Sequence, residues 1–157
     1  MFVKKISSTG EVQHLDWYDY YIKIRSTAGI TFPGYMIHEA VMWNEEQKKW
    51  IFLPRRASKS KYNDVDDEVH GTNMMLTADE LFNHITLTNI GTLDQPSHGF
   101  SSFKFIPDTR DSVMVALKSE EFQGKIASYV MVFKQDGTIL LPETYVGDHK
   151  YEGLEFI

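Results

Sequence analysis

The sequence predicts an all-β fold built from short antiparallel strands. Three observations carry that reading. Aromatic and β-branched residues recur in short runs, turn residues separate the runs, and the pattern of runs repeats along the chain. The chain has 157 residues, enough for one ordinary domain. Its 42% hydrophobic content, 13% of the chain being aromatic, supports a buried core and excludes a disordered polymer.

The predicted strands are Met36–Trp43, Trp50–Pro54, Thr72–Thr77, Ile85–Ile90, Phe100–Ile106, Val113–Leu117, Ala127–Phe133 and Ile139–Leu141. Gln135-Asp-Gly-Thr138 is a hairpin signal, because Asp-Gly accepts the positive φ angles of a tight primed turn. Asn44–Lys49 and Pro107–Asp111 are polar connectors. Phe2–Ile6 can supply one further strand. Two stretches read as helical. Leu15, Trp17, Tyr18, Tyr21 and Ile22 approximate an apolar face over Asp16–Thr27, with Gly29 as a stop, and Ala78–Asn83 can make one turn. Ser58–Val69 is charged and reads as an exposed loop.

The repeat emerges by sliding the chain on itself. An offset of 62, which carries position 39 to 101, puts Trp43 on Phe105, Ile51 on Val113, Phe52 on Met114 and Leu53 on Val115. An offset of 51, which carries 101 to 152, puts Leu154 on Phe103, Phe156 on Phe105 and Ile157 on Ile106. Two units of about four strands are therefore followed by one lone strand. Blades of a β-propeller have this form, and so do the alternating strands of a β-sandwich. The units divide the chain into a blade end with a helical insertion (1–33), a blade (34–97), a second blade (98–149) and a closing strand (150–157). Strands that would complete the last sheet are expected to lie outside this chain or not to exist. Open edges of this kind favour self-association, a homodimer included.

Charge and composition exclude several classes. With 16 basic and 22 acidic residues the net charge is −6, which disfavours nucleic acid and anionic membranes. No run of about 18 apolar residues exists, so no membrane span is predicted. Met1-Phe-Val-Lys-Lys-Ile6 lacks the apolar stretch of a signal peptide. The absence of cysteine excludes disulfides, thiolate zinc sites and cysteine nucleophiles.

Several longer words are specific. Gly34-Tyr-Met-Ile-His-Glu-Ala40, Trp50-Ile-Phe-Leu-Pro-Arg-Arg-Ala-Ser58, His98-Gly-Phe-Ser-Ser-Phe-Lys-Phe-Ile-Pro107, Ala116-Leu-Lys-Ser-Glu-Glu121, Leu140-Leu-Pro-Glu-Thr144 and Lys150-Tyr-Glu-Gly-Leu-Glu-Phe-Ile157 closely resemble the calcium-activated nucleotidase (apyrase) family. Its soluble vertebrate members are the nearer match, and its blood-feeding insect members the more distant. The resemblance implies a five-bladed β-propeller, of which this chain is the C-terminal portion. It also implies calcium-dependent hydrolysis of nucleoside di- and triphosphates such as UDP, GDP, ADP and ATP, in a protein that is secreted or held in the ER/Golgi lumen.

Glu39, Ser101 and Glu152 share one repeat position, each at the start of a unit's first strand. In a propeller those strands line the central tunnel. Calcium takes six to eight hard oxygen ligands at about 2.3–2.6 Å, and two carboxylates with a serine oxygen supply part of such a shell. The resemblance assigns these three residues to the family's Ca2+ site. Taken alone, Glu39 and Glu152 read equally as solvated strand-end acids. Arg55-Arg56 at a strand end can clamp a diphosphate through bidentate hydrogen bonds. The competing reading sends one arginine to solvent and pairs the other with Asp66, Asp67 or Glu68. The resemblance favours Arg55 for the catalytic role. His98 precedes the second ligand strand and can touch phosphate or orient a water, or simply bond a neighbouring loop. His38, Met74, Met75, Trp43, Trp50 and Phe105 read as packing, and Lys118-Ser-Glu-Glu121 as charges on a strand-end rim. Two functions stay open: a nucleotidase completed by upstream sequence, and a non-catalytic propeller piece that binds calcium or a partner. If the edges are open as the repeat implies, the isolated chain self-associates. Light scattering reporting a monodisperse monomer would count against that reading.

Overall fold

The computed structural model describes residues 1–157. Strands β1 (Phe2–Ile6) and β2 (Val12–Asp16) form an antiparallel hairpin, paired from Phe2↔Asp16 to Ile6↔Val12. The sequence pattern offered β1 but not β2, because Val12-Gln-His-Leu-Asp16 has only two apolar residues and is exposed almost throughout. Helix α1 (Tyr18–Thr27) follows at once. Asp16 accepts the Tyr18 N–H at 2.9 Å, which satisfies one free donor at the helix start. Gly29 follows the helix with a φ of 70°, a left-handed geometry that suits glycine.

The next four strands are β3 (Tyr35–Asn44), β4 (Lys49–Ser58), β5 (Met74–Asp79) and β6 (Ile85–Asn89), with the four-residue helix α2 (Asp64–Asp67) between β4 and β5. They form one antiparallel sheet in sequence order. The second sheet repeats that plan with β7 (His98–Phe105), β8 (Val113–Phe122), β9 (Lys125–Lys134) and β10 (Ile139–Gly147). The all-β expectation and the two four-stranded units therefore stand as read. The strands run longer than the hydrophobic pattern suggested. β4 continues through Arg55 and Arg56 to Ser58, and β8 continues through Lys118 to Phe122. Polar residues can extend a strand when the neighbouring sheet satisfies them, which local pattern cannot reveal. Part of the expected loop Ser58–Val69 is α2, whose start is capped by Asn63 accepting from Val65 N and Asp66 N.

The main core lies between the two sheets. Ile51, Leu53 and Met75 from the first sheet meet Phe103, Met114, Ala116, Met131 and Phe133 from the second. A smaller core lies on the other face of the first sheet, where α1 covers Phe52, Leu76 and Phe82 with Ile24. Strand alternation explains the division, since Ile51 and Leu53 point one way and Phe52 the other. Trp43 and Trp50 are half-buried, with ring centroids 5.1 Å apart. Met75 is fully buried, as expected of packing.

The expected closing strand, residues 150–157, forms no ladder. Side chains fasten it to the second sheet instead. Ser128 Oγ donates to the His149 carbonyl at 2.6 Å and accepts the Tyr151 N–H at 2.9 Å, and Lys104 pairs with Glu155 at 2.6 Å.

Two outcomes follow from this packing. Phe133 is fully buried, so Phe133→Ala should cost about 3–5 kcal/mol in a urea melt. His38 packs against Tyr21 and Phe52 at centroid distances of 5.5 and 5.3 Å. Burial pushes its pKa down from 6.5 to about 4. The unfolded chain therefore binds the extra proton first. His38's contribution is full above about pH 6.5 and is lost as the pH falls through about 4. Stability curves of wild type and His38→Gln should converge over that window.

Candidate functional site

Three cations are buried where the sheets meet; Arg55 and Lys118 are held by oxygen atoms from several segments, and Arg56 by one main-chain carbonyl. Arg55 on β4 is 5% exposed. Its Nη1 donates to Ser119 Oγ at 2.7 Å and lies 3.3 Å from the Glu39 carboxylate, while Nη2 donates to Glu121 at 3.2 Å. The guanidinium thus joins β3, β4 and β8. Gly99 makes this approach feasible. A Cβ there would stand 2.6 Å from Arg55 Cγ and 2.9 Å from Arg56 Nη1, closer than atoms pack.

Arg56 lies behind its neighbour at 3% exposure. Its Nη2 donates to the Ser97 carbonyl at 3.0 Å, and no carboxylate pairs with it. Burial, then the adjacent Arg55, hold its pKa below the usual arginine range. The expected pairing of one arginine with the acidic run Asp66–Glu68 does not occur. Instead Asp67 accepts the Tyr35 hydroxyl.

The third cation is Lys118 on β8, fully buried beneath the Phe100 ring at 4.8 Å. The sequence placed it on a rim. Its Nζ donates to Glu143 on β10 and to Asn73 before β5, both at 2.6 Å. Burial lowers its pKa, and the Glu143 carboxylate works against that shift. Glu143 also meets His98 Nδ1 at 2.7 Å. Burial alone would raise the Glu143 pKa, but the His98 bond and the Lys118 charge outweigh it and hold the group ionised.

His98 is buried, stacked on Tyr129 at 3.9 Å between centroids. Its Nε2 is 3.5 Å from Glu120, which also accepts Ser97 Oγ at 3.1 Å, the Tyr129 hydroxyl at 2.9 Å and Lys125 at 2.7 Å. Burial raises the Glu120 pKa, and those bonds more than reverse the effect. A cleft of about 320 Å³ opens over this group, walled by Gln95, His98, Glu120, Lys125, Tyr129 and Glu143.

Glu39 and Glu152 are joined by a chain of ion pairs, and Ser101 bonds to the residue before Glu152. Glu39 pairs with Arg55, Arg55 with Glu121, Glu121 with Lys150 at 3.1 Å, and Lys150 with Glu152 at 3.3 Å. Ser101 Oγ donates to the Leu117 carbonyl at 3.3 Å and to the Tyr151 carbonyl, next to Glu152, at 3.2 Å. No three acidic or imidazole side chains of the chain lie close enough to hold an ion among themselves. The donors are hard oxygens of the kind calcium takes, and here Arg55 and Lys150 neutralise the carboxylates.

The sequence singled out Arg55, His98 and the three repeat-position residues, and did not single out Ser119, Glu120, Tyr129 and Glu143, which the structure packs against Arg55 and His98. Glu120 and Glu143 do fall within two of the specific words, Ala116–Glu121 and Leu140–Thr144. That was the available signal.

The family model for apyrases matches residues 1–157, and the chain belongs to the apyrase family. It is 52% identical over 156 residues to the mouse protein named soluble calcium-activated nucleotidase 1, covering 99% of this chain and 38% of that protein. It is 45% identical to an apyrase of Caenorhabditis elegans, covering 99% of this chain and 44% of that protein, and 42% identical to an apyrase of Cimex lectularius, covering 100% and 43%. The chain thus spans about two fifths of the length of these relatives. No helix is long and apolar enough to cross a membrane.

Glu143→Gln removes the charge that neutralises a fully buried ammonium. It should cost about 3–5 kcal/mol in denaturant melts, whereas the paired change Lys118→Met with Glu143→Leu should recover most of that loss.

Proposed function

We propose that this chain is the C-terminal portion of a calcium-dependent nucleotidase that hydrolyses nucleoside di- and triphosphates, of the UDP, GDP and ADP/ATP class. The single observation that supports the reading is the linked set Glu39–Arg55–Glu121–Lys150–Glu152, a chain of ion pairs that runs between two of the three repeat-position residues. Family membership and the names of the relatives support the chemistry.

A β-propeller is the architecture proposed for the longer protein. The packing supports it. Ile51 and Leu53 face the second sheet, while their repeat counterparts Val113 and Val115 are half-exposed on the far face of that sheet. Val130 and Val132 are half-exposed beside them. Each sheet therefore offers the same face onward, as successive blades must.

Glu39, Ser101 and Glu152 would hold the calcium. When bound, it supplies positive charge to the phosphate oxygens. The chain's own groups account for the remaining roles. Arg55, already positioned by Ser119 and Glu121, presents its guanidinium to a phosphate oxygen once Glu39 turns to the ion. Arg56 backs it from behind and contributes long-range positive charge at the substrate side. His98 lies in the polar cleft with Lys125 and Gln95 on the opposite face of β8 from Arg55, so its part is to position that strand through Glu120 and Glu143. The water oxygen attacks the terminal phosphorus and gives up its proton to solvent, the bridging P–O bond breaks, and the departing nucleoside phosphate takes the bonding electron pair. The reading extends to a secreted or ER/Golgi-lumenal protein and to a homodimer.

Phosphate release from UDP, GDP and ADP should require calcium and should need the upstream portion joined to this chain. Glu39→Gln or Glu152→Gln should lower calcium affinity in titration calorimetry at least tenfold, and Arg55→Lys should lower kcat about 100-fold or more. Turnover undiminished by a calcium chelator would overturn the proposal. Calcium binding without turnover in the joined protein would instead assign a non-catalytic ion-binding module.

A further inference from the structure

All three tryptophans of the chain, Trp17, Trp43 and Trp50, line one cleft of about 620 Å³. The fold gathers them from separate elements. Trp17 stands directly before α1, and Trp43 and Trp50 are partners across the β3–β4 hairpin. Val3 and Leu15, partners in the β1–β2 hairpin, belong to the same apolar wall. Seven of the ten lining residues are hydrophobic, and the size falls within the range of about 300–1,000 Å³ usual for small-molecule sites. The tryptophans are only half-buried. Apolar surface gathered in a hollow and left open to water marks a place where something else binds.

Two features of the walls say what fits. The first is ring geometry. Trp17 meets Trp50 at 5.1 Å with the planes 79° apart, and Trp43 meets Trp50 at 5.1 Å and 61°. Trp17 is also steeply inclined to Tyr20, Tyr21 and Phe82. No tryptophan therefore has a parallel aromatic partner, the contact that a flat guest ring supplies. The second feature is charge. Lys4 and Lys5 line the cleft and take part in none of the chain's ion pairs. Strand alternation puts Lys5 on the same face of β1 as the half-buried Val3, with Lys4 at the rim. Glu80 is the single acidic lining residue, and Glu45, which accepts the Trp43 indole N–H at 2.6 Å, is matched by Lys48. Positive charge therefore prevails at the opening.

We propose that this cleft binds an organic anion built on a planar aromatic ring, the ring laid against the tryptophans and its phosphate or carboxylate at Lys5. A purely apolar guest leaves two unpaired lysines unanswered, and a cation is repelled by them. Nucleoside monophosphates and aromatic carboxylates share the required chemistry, and the test separates them. The cleft is distinct from the Arg55 junction, since Trp50 and Arg55 stand at opposite parts of β4, roughly 16 Å apart along the strand. The inference goes beyond the nucleotidase reading and does not rest on it, because its measurements involve neither turnover nor calcium.

The test titrates the isotope-labelled 157-residue chain, in the presence of a calcium chelator and at constant ionic strength, with four probes: AMP, 1-naphthoate, the neutral 1-naphthalenemethanol and choline. The indole N–H resonances of Trp17, Trp43 and Trp50 should shift together and saturate with at least one of the two anions. Saturation by AMP alone assigns the nucleotide source, and by naphthoate alone the carboxylate source. Trp43→Leu should weaken that binding about tenfold through loss of one stacking surface. If that variant fails to fold, Lys5→Gln serves. It should weaken the anion about three- to fivefold and leave naphthalenemethanol unchanged. Resonances unmoved by both anions overturn the proposal, as does binding of choline or of the neutral alcohol at least as tight as that of the anions. Loss of the response once the upstream portion is joined to the chain overturns it too, and assigns the cleft to an interface within the longer protein.

Discussion

Burying positive charge where two sheets meet is the constraint on which the rest of this structure depends. Arg55, Arg56 and Lys118 are all nearly or fully inaccessible. An isolated charge in such a place is costly, so Arg55 and Lys118 are each surrounded by oxygen, while Arg56 keeps one carbonyl bond and a lowered pKa. The oxygens come from Glu39 on β3, Ser97 before β7, Ser119 and Glu121 on β8, Glu143 on β10 and Asn73 before β5. Satisfying three cations therefore recruits five segments from both sheets. The apolar core presses the sheets together, and these bonds fix their relative position.

The same constraint explains the glycines and the strand lengths. Gly99 leaves room for both arginines, and Gly71 leaves room for the His98 and Pro96 carbonyls, which would lie 2.2 and 2.7 Å from an added Cβ. β4 and β8 outrun their apolar stretches because their polar ends pair with one another across the sheets. Edge strand β10 is irregular, with register shifts between Ile139 and Leu141, between Leu141 and Thr144, and between Tyr145 and Gly147. That irregular stretch contains Glu143, which reaches Lys118 and His98.

Two polar systems occupy opposite faces of β8 near one end. Ser119 and Glu121 face Arg55, while Lys118 and Glu120 face Glu143 and His98. Period-two alternation is what separates them. The Arg55 cluster on one face and a buried histidine network on the other thus share a single strand, each stiffening the other's scaffold.

The sequence by itself determined the strand-rich class, the two four-stranded units and their common repeat position. These are properties of local pattern: β-branched runs, turn residues and periodic recurrence. It also marked Glu39, Ser101 and Glu152 by offset, and Arg55 and His98 by their words. Only the tertiary structure decided that Lys118 is interior, that Glu143 is its counter-ion, that Arg56 lies behind Arg55, and that residues 150–157 are fastened by side chains with no ladder. Burial and ion pairing join residues tens of positions apart, such as Lys118 with Asn73 or Arg55 with Glu121. No local pattern encodes such a partner, because a lysine at a strand end has the same neighbours in sequence whether water or a carboxylate waits for it.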